Sequence, residues 1–115
     1  MAHVERFEDL IAWQKARDLC VAIYQSTRTM SDYGFKDQIQ RASLSISNNI
    51  AEGFERHSSK EFVRFLSISK GSAGEVRSIL LVGSKLGYFD DVQAAKLISD
   101  VTEISKILSA LMNSL

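Results

Sequence analysis

The amino-acid sequence predicts an all-α fold, an antiparallel up-down-up-down four-helix bundle that forms one domain over residues 1–115. Three observations predict it: apolar residues recur at helical spacing in four segments, proline is absent, and glycine occurs only six times. Proline breaks helix interiors and glycine weakens them, so a chain poor in both is compatible with long helices. The short connections between the four segments favour neighbours that run in opposite directions.

The first two segments are defined by their apolar positions and by the turn between them. The first helix is predicted from about residue 9 to residue 29, on Trp13, Ala16, Cys20, Ile23, Tyr24 and Thr27. Residues 30–34 predict a turn, because Ser, Asp and Gly favour local hydrogen bonds and permissive backbone angles. The second helix is predicted from about residue 35 to residue 54, on Ile39, Ala42, Ile46, Ile50 and Gly53.

The third and fourth helices carry clear start and stop signals. Ser58 and Glu61 have the spacing of a capping box, and Gly87 is placed to end the third helix after residue 86. Asp90 predicts the N-cap of the fourth helix, with Gln93 reaching back to it. The apolar stripe of that helix is Leu97, Val101, Ile104, Leu108, Leu111 and Leu115.

Composition excludes several classes of protein. The values of 45% hydrophobic and 24% charged residues are typical of a globular chain rather than a disordered one. No apolar run approaches the roughly 20 residues of a membrane span, and the charged start of the sequence lacks the apolar core of a secretory signal. Cys20 is the only cysteine, so no internal disulfide can form, and we expect a cytoplasmic protein without membrane association.

The third helix has two apolar stripes. Its main face is formed by Phe62, Phe65, Leu66, Ser69, Ala73, Val76, Leu80 and Gly83. A second flank, turned by roughly 90°, carries Ile68, Ile79, Val82 and Leu86. One stripe closes a four-helix core, so the second predicts packing against another copy of the chain. Gly71, Gly74 and Gly83 favour close approach there, although tight packing inside the bundle also explains them.

A polar row follows the second helix beside its apolar face: Gln38, Arg41, Ser45, Asn48 or Asn49, Glu52 and Arg56. It is either a solvated face with pairs such as Glu52 with Arg56, or a hydrogen-bonded network at a subunit boundary. The candidate oligomer interface is accordingly Ile68, Ser72, Glu75, Ile79, Val82, Leu86, Arg41, Ser45, Asn49 and Glu52.

Charge is unevenly distributed although the formal net charge is zero. Residues 56–85 hold six basic and two acidic side chains, a local charge of +4. The candidate nucleic-acid-binding residues are Arg56, Lys60, Arg64, Lys70 and Arg77. Repeated around an oligomer, they form a basic surface able to contact phosphates without reading sequence. The alternative is that each is an ordinary solvated charge.

No catalytic or metal-binding pattern is present in the sequence. His3 and His57 have no second ligand at metal spacing, and Cys20 lies on the apolar stripe of the first helix. No serine stands in a nucleophile motif, and the glycines around residue 72 lack phosphate-loop spacing. We therefore expect no enzyme activity, no cofactor, no metal and no small-molecule substrate.

The second helix resembles a family hallmark. Gln38, Arg41-Ala42, Ser45-Ile46 and the run Asn49-Ile50-Ala51-Glu52-Gly53 match the pattern Q-x-x-R-A-x-x-S-I-x-x-N-I-A-E-G at every fixed position. This pattern is similar to the hallmark of the bacterial large-subunit (23S) ribosomal RNA intervening-sequence proteins, a four-helix-bundle family. Phe7-Glu8-Asp9-Leu10 with Trp13-Gln14 and Ala16 resembles the opening of that family, and Phe62, Phe65-Leu66, Gly71-Ser72 and Glu75 resemble its third-helix motif. The chain departs from the family pattern in two respects. It has Ser69-Lys70 where the family commonly has alanine followed by a variable residue. It also lacks the prolines often present in relatives before the second helix and after the Ser-Ile pair.

The resemblance implies a homopentameric barrel of bundles and a connection to nucleic acid. A related branch serves diversity-generating retroelements as an accessory factor, which implies a reverse transcriptase as one possible partner. Two functions stay open: a non-catalytic oligomer that binds RNA or DNA, or a protein-interaction scaffold without direct nucleic-acid binding. The net charge of zero favours the scaffold slightly.

Overall fold

Four long α-helices form the protein in the computed structural model, which describes residues 4–115. After a short 3-10 turn at Phe7–Asp9 they are α1 (Ile11–Thr27), α2 (Tyr33–Glu55), α3 (Ser59–Lys85) and α4 (Asp91–Asn113). No strand occurs within residues 4–115, as the sequence predicts for an all-α fold. His3, considered as a metal ligand, lies outside the described residues.

The helix starts follow side-chain caps. The Ser58 hydroxyl accepts from the Glu61 N–H at 3.3 Å, and the Asp90 carboxylate accepts from the Gln93 N–H at 2.8 Å, so both predicted N-caps are confirmed. The side chains expected to reach back bond elsewhere: the Glu61 carboxylate accepts from Arg64, and the Gln93 amide donates to the Ser26 hydroxyl. Gly87 adopts φ +76° at the end of α3, a conformation that favours glycine. The start of α2 differs from the prediction by two residues, because Asp32 caps it by accepting from the Phe35 N–H at 3.2 Å.

The core lies along the axis shared by the four helices. The predicted apolar faces of α2 and α3 are buried in full, and in α4 Leu97, Val101, Ile104 and Leu108 are buried. Tyr24, placed on the α1 stripe by its spacing, is exposed instead, since the buried side of α1 is centred on Ala16 and Ile23. Tyr24 follows Ile23 by one residue, which turns its side chain by about 100° around the helix and away from the buried side.

The most extensive helix contact joins α2 and α3. Two glycines allow it: a Cβ on Gly53 would lie 2.5 Å from the Phe65 Cβ, and one on Gly83 would lie 2.7 Å from the Phe35 and Phe89 rings. Between them, the buried Ser69 hydroxyl donates to the Ile46 carbonyl at 2.7 Å. The molecule measures 42 × 22 × 19 Å, and none of the helices within residues 4–115 is long and apolar enough to cross a membrane.

Candidate assembly and nucleic-acid surfaces

One side of the bundle gathers the residues predicted for the oligomer interface. We call it the α2–α3 face, formed by Arg41, Ser45, Asn49, Glu52, Ile68, Ser72, Glu75, Ile79, Val82 and Leu86. Three of its apolar side chains are exposed: Ile68 to 43%, Val82 to 53% and Leu86 to 55%. Ile79 is partly buried against the core. The second stripe of α3 is therefore left uncovered by the chain's own helices.

Polar contacts cross the centre of the α2–α3 face. The Ser45 and Ser72 hydroxyls are 2.9 Å apart and join the two helices, and the Asn49 amide donates to the Ser45 Oγ at 2.9 Å. Shallow depressions beside them are lined on one side by Arg41, Ser45, Ser72 and Glu75, and on the other by Asn49 and Glu52. The polar row thus borders the exposed apolar flank directly.

The charged members of the row pair along their own helix. Arg56 contacts Glu52 at 3.2 Å, the pair expected from the i,i+4 spacing. Arg41 pairs with Asp37 at 2.9 Å, one turn earlier in α2. Both pairs are exposed, so each contributes little to the stability of the isolated chain.

The glycines of α3 do not serve one purpose. Gly83 is required by the close approach of Phe35 and Phe89 within the chain. A Cβ added at Gly71 or Gly74 would meet nothing within 4 Å, and both positions are exposed. Tight packing inside the bundle therefore explains Gly83 and leaves the other two unexplained by this chain alone.

The predicted nucleic-acid residues divide into two groups around α3. Arg56 and Arg64 stack over the Phe65 ring, with guanidinium carbons 5.0 and 4.7 Å from its centroid, and Lys60 lies one turn before Arg64. Arg64 also contacts Glu61 at 3.0 Å. Its hydrogen bond lowers the pKa of the Glu61 carboxyl and raises that of its own guanidinium. This group is partly neutralised by its own carboxylates.

The second group lies on the opposite edge of α3. At about 100° per residue, Lys70 and Arg77 are turned by about 120–140° from Arg64. Arg77 lines a groove between α3 and α4 together with Lys106, a residue that the sequence did not single out. Lys106 was missed because charge was counted along the chain, whereas this groove joins cations from two helices. The five predicted residues therefore do not form one continuous patch on a single chain.

Cys20 and His57 are the two other side chains considered for chemical reactivity. Cys20 is a buried free thiol, as its place on the α1 stripe predicts, with the Ser43 hydroxyl 3.5 Å from its sulfur. His57 takes φ +53° in the turn before α3, 6.4 Å from the Phe54 ring. Within the described residues, no three His, Cys, Asp or Glu side chains are grouped so that they could hold a metal ion.

Comparison with known proteins places the fold. The chain superposes with a TM-score of 0.83 on the crystal structure of a protein of unknown function from the S23 ribosomal protein family of Bacteroides thetaiotaomicron. The two are 25% identical, and the match covers 89% of this chain and 98% of the other. No curated protein gives a significant match. The family model for the 23S rRNA-intervening sequence protein matches residues 8–110. The chain therefore belongs to the family of 23S rRNA-intervening sequence proteins.

Proposed function

We propose that the protein is a non-catalytic homo-oligomer that binds nucleic acid through basic side chains of α3. In this proposal the four helices run alternately up and down, copies pack through the α2–α3 face, and the assembled surface contacts phosphates. The family resemblance favours a pentamer as the assembled state. The proposal assigns no reaction and no cofactor to the chain.

Contacts between numbered residues support the alternating helix directions. Gly53 near the end of α2 lies against Phe62 near the start of α3, whereas Phe35 at the start of α2 lies against Gly83 at the end of α3. Lys15 near the start of α1 pairs with Glu103 in the second half of α4 at 2.8 Å, and Ser26 near the end of α1 accepts from Gln93 at the start of α4. In both of these pairs the start of one helix contacts the end of the other, which supports opposite directions for α2 and α3 and for α1 and α4.

The observation that supports self-assembly is the uncovered apolar flank beside a polar row. The exposed apolar side chains on one side of α3 are Ile68, Val82 and Leu86. Their burial against a second copy stabilises the assembly by about 25 cal/mol for each Å² of apolar surface removed from water. A ring of copies needs an interface that is repeated head to tail around the axis. Sedimentation velocity tests this: a species of several 12.9 kDa chains is expected, and a monomer at micromolar concentration overturns the assembly.

The observation that carries nucleic-acid binding is the set of cations without acidic partners. Lys60, Lys70 and Arg77 form no ion pair with any residue in 4–115, although most cations elsewhere in that range do. Fluorescence anisotropy with labelled RNA and DNA at low salt is the test. Binding that weakens steeply as salt rises is expected, and no binding at tens of micromolar protein overturns this part of the proposal.

A protein-interaction scaffold is the second candidate, and one end of the bundle favours it. Tyr33 is 75% exposed at the start of α2, and the Tyr88 hydroxyl donates to neighbouring Asp32, which brings the α1–α2 and α3–α4 connections together. Val92 adds a further exposed apolar side chain close by in sequence. A reverse transcriptase is one partner to try in a pull-down with purified proteins. Capture that survives Tyr33→Ser contradicts docking at this end.

A further inference from the structure

We propose that the groove between α3 and α4 binds the phosphodiester backbone of double-stranded nucleic acid and does not read its bases. This inference rests on the nucleic-acid binding proposed above. The main contact then lies away from Arg56 and Arg64, Lys106 of α4 contributes to it, and the ligand is paired.

The charge of the groove is of one sign. Arg77 and Lys106 line it from two different helices, together with Ala73, Gly74, Val101, Thr102 and Ser105. No lining residue is acidic, and neither cation forms an ion pair with any described residue. Lys70 extends the row on the same side of α3, seven residues before Arg77 and about 10 Å away along the axis. A polyanion therefore meets cations here without displacing a carboxylate.

The floor of the groove leaves room for a phosphate. Gly74 has no neighbouring atom within 4 Å of the place where a Cβ would stand, so a ligand can approach the α3 backbone closely. The Ser105 hydroxyl makes no hydrogen bond with other described residues and is available as a donor, whereas the Thr102 hydroxyl already donates to the Ile98 carbonyl. Two cations and one hydroxyl thus converge on one open space.

The arginine cluster at Phe65 is less suited to the same task. Arg56 and Arg64 are held by Glu52 and Glu61 and by the aromatic ring between them. A phosphate that binds there must displace a carboxylate or sit beside it, which offsets much of the electrostatic gain. The two groups carry similar numbers of cations, so the difference lies in what already surrounds them.

The side chains at the groove favour a duplex over a single strand. Proteins that hold single strands combine cations with aromatic rings on which the bases stack. None of the residues lining the groove is aromatic, and the exposed tyrosines of the described chain, Tyr24, Tyr33 and Tyr88, lie outside it. Backbone contacts alone are strongest where phosphates are densest, and a duplex carries about one charge per 1.7 Å of its axis.

Two charge-matched double variants test the site. Arg77→Gln with Lys106→Gln removes the groove cations, and Arg56→Gln with Arg64→Gln removes the same charge at Phe65. All four side chains are exposed, so circular dichroism is expected to show folded protein in both cases. Anisotropy is measured with labelled RNA and DNA duplexes of about two helical turns, and with their separated strands, between about 50 and 200 mM salt.

The groove variant is expected to lose on the order of 10–100-fold in duplex affinity at about 0.1 M salt, with a salt slope shallower by about 2. The Phe65 variant is expected to lose less than about 3-fold. An equal or larger loss in the Phe65 variant overturns the groove assignment while the proposed function stands. Single strands that bind the native protein as tightly as duplexes overturn the duplex preference. No binding of any probe to the native protein overturns the proposed function itself.

Discussion

Gly53 lies within α2 and Gly74 within α3, and their surroundings are opposite. At Gly53 the Cβ of any other residue would stand 2.5 Å from the Phe65 Cβ, an atom fixed to the α3 backbone. At Gly74 the same atom would stand in open space. Gly53 allows the close separation of α2 and α3. Gly74 lowers the stability of its helix, and no contact within the chain requires a glycine there.

Alanine substitution separates these two roles. Gly53→Ala is expected to lower the free energy of unfolding by about 1–3 kcal/mol, because the helices must move apart. Gly74→Ala is expected to raise it by about 0.5–1 kcal/mol through helix propensity alone. Urea unfolding of both variants measures the difference, and a destabilised Gly74→Ala protein contradicts the open surroundings seen at that position.

Ser69 lies in the contact between α2 and α3, where its hydroxyl has a physical role. Its hydroxyl is fully buried and donates to the Ile46 carbonyl, an oxygen of the neighbouring helix. Ser69→Ala is expected to cost about 1 kcal/mol, the net value of one buried hydrogen bond whose acceptor keeps its helical partner. Ser67→Ala, at an exposed position of the same helix, is the control and is expected to change stability by less than about 0.5 kcal/mol.

At the scale of the helices, a hydrogen bond joins the α1–α2 connection to the α3–α4 connection at one end of the bundle. The Tyr88 hydroxyl donates to Asp32 at 2.6 Å, and the Tyr88 ring meets Phe35 edge-on with centroids 4.9 Å apart. The bond lowers the pKa of Asp32, which the Phe35 N–H also stabilises as a carboxylate, and raises the pKa of Tyr88. The α1–α2 and α3–α4 connections are thus coupled through two titrating groups.

This bond is expected to stabilise the fold only within a window of pH. The ordinary pKa of Asp32 is 3.8 and is lowered on folding, so its contribution is present above that value and is lost as pH falls through the folded pKa. The ordinary pKa of Tyr88 is 10.0 and is raised, so its contribution is present below that value and is lost as pH rises through the folded pKa. Urea unfolding of native protein and Tyr88→Phe between these limits should differ in midpoint, and the difference should vanish towards strong acid.

Asp32→Asn provides the control for the acid side. The amide oxygen still caps α2, but the side chain no longer titrates. The difference in stability between Asp32→Asn and the double variant Asp32→Asn with Tyr88→Phe is therefore expected to stay constant across the acid range. A midpoint difference between native protein and Tyr88→Phe that persists unchanged in acid would show that the charge on Asp32 is irrelevant to the bond.

The helices were predictable because the apolar residues of each buried face recur at intervals of three and four residues in the sequence. The eight positions assigned to the main face of α3 are its buried residues, and the caps at Ser58 and Asp90 are where the spacing puts them. Partners across helices were not predictable in this way. Gln93 was expected to reach back to its own cap, and its side chain donates instead to the Ser26 hydroxyl of α1 at 3.1 Å. Such contacts depend on the rotation and axial register of two helices, which neither sequence period contains.

The same limit applies to the surfaces of the whole molecule. The interface candidates lie together on the α2–α3 face, because each belongs to one stripe of α2 or of α3 and these two helices pack side by side. Whether this face is an interface stays a prediction. The cations of residues 56–85 are close in sequence, yet the helix turns Arg64 and Arg77 to different sides. Net charge per segment therefore locates a basic helix but not a basic patch, and Lys106 joins the groove only through the packing of α4 on α3.

Assembly is tested most directly by placing one charge on the α2–α3 face. Val82→Lys puts an ammonium on the exposed apolar flank, where burial against another copy would leave it unpaired at high cost. The dissociation constant of the oligomer is expected to rise on the order of 100-fold, equivalent to about 2.7 kcal/mol. Val92→Lys, at an 82% exposed position outside that face, adds the same charge and is expected to leave assembly unchanged. Sedimentation velocity across a concentration series measures both, and an oligomer that weakens equally in the two variants places the interface elsewhere.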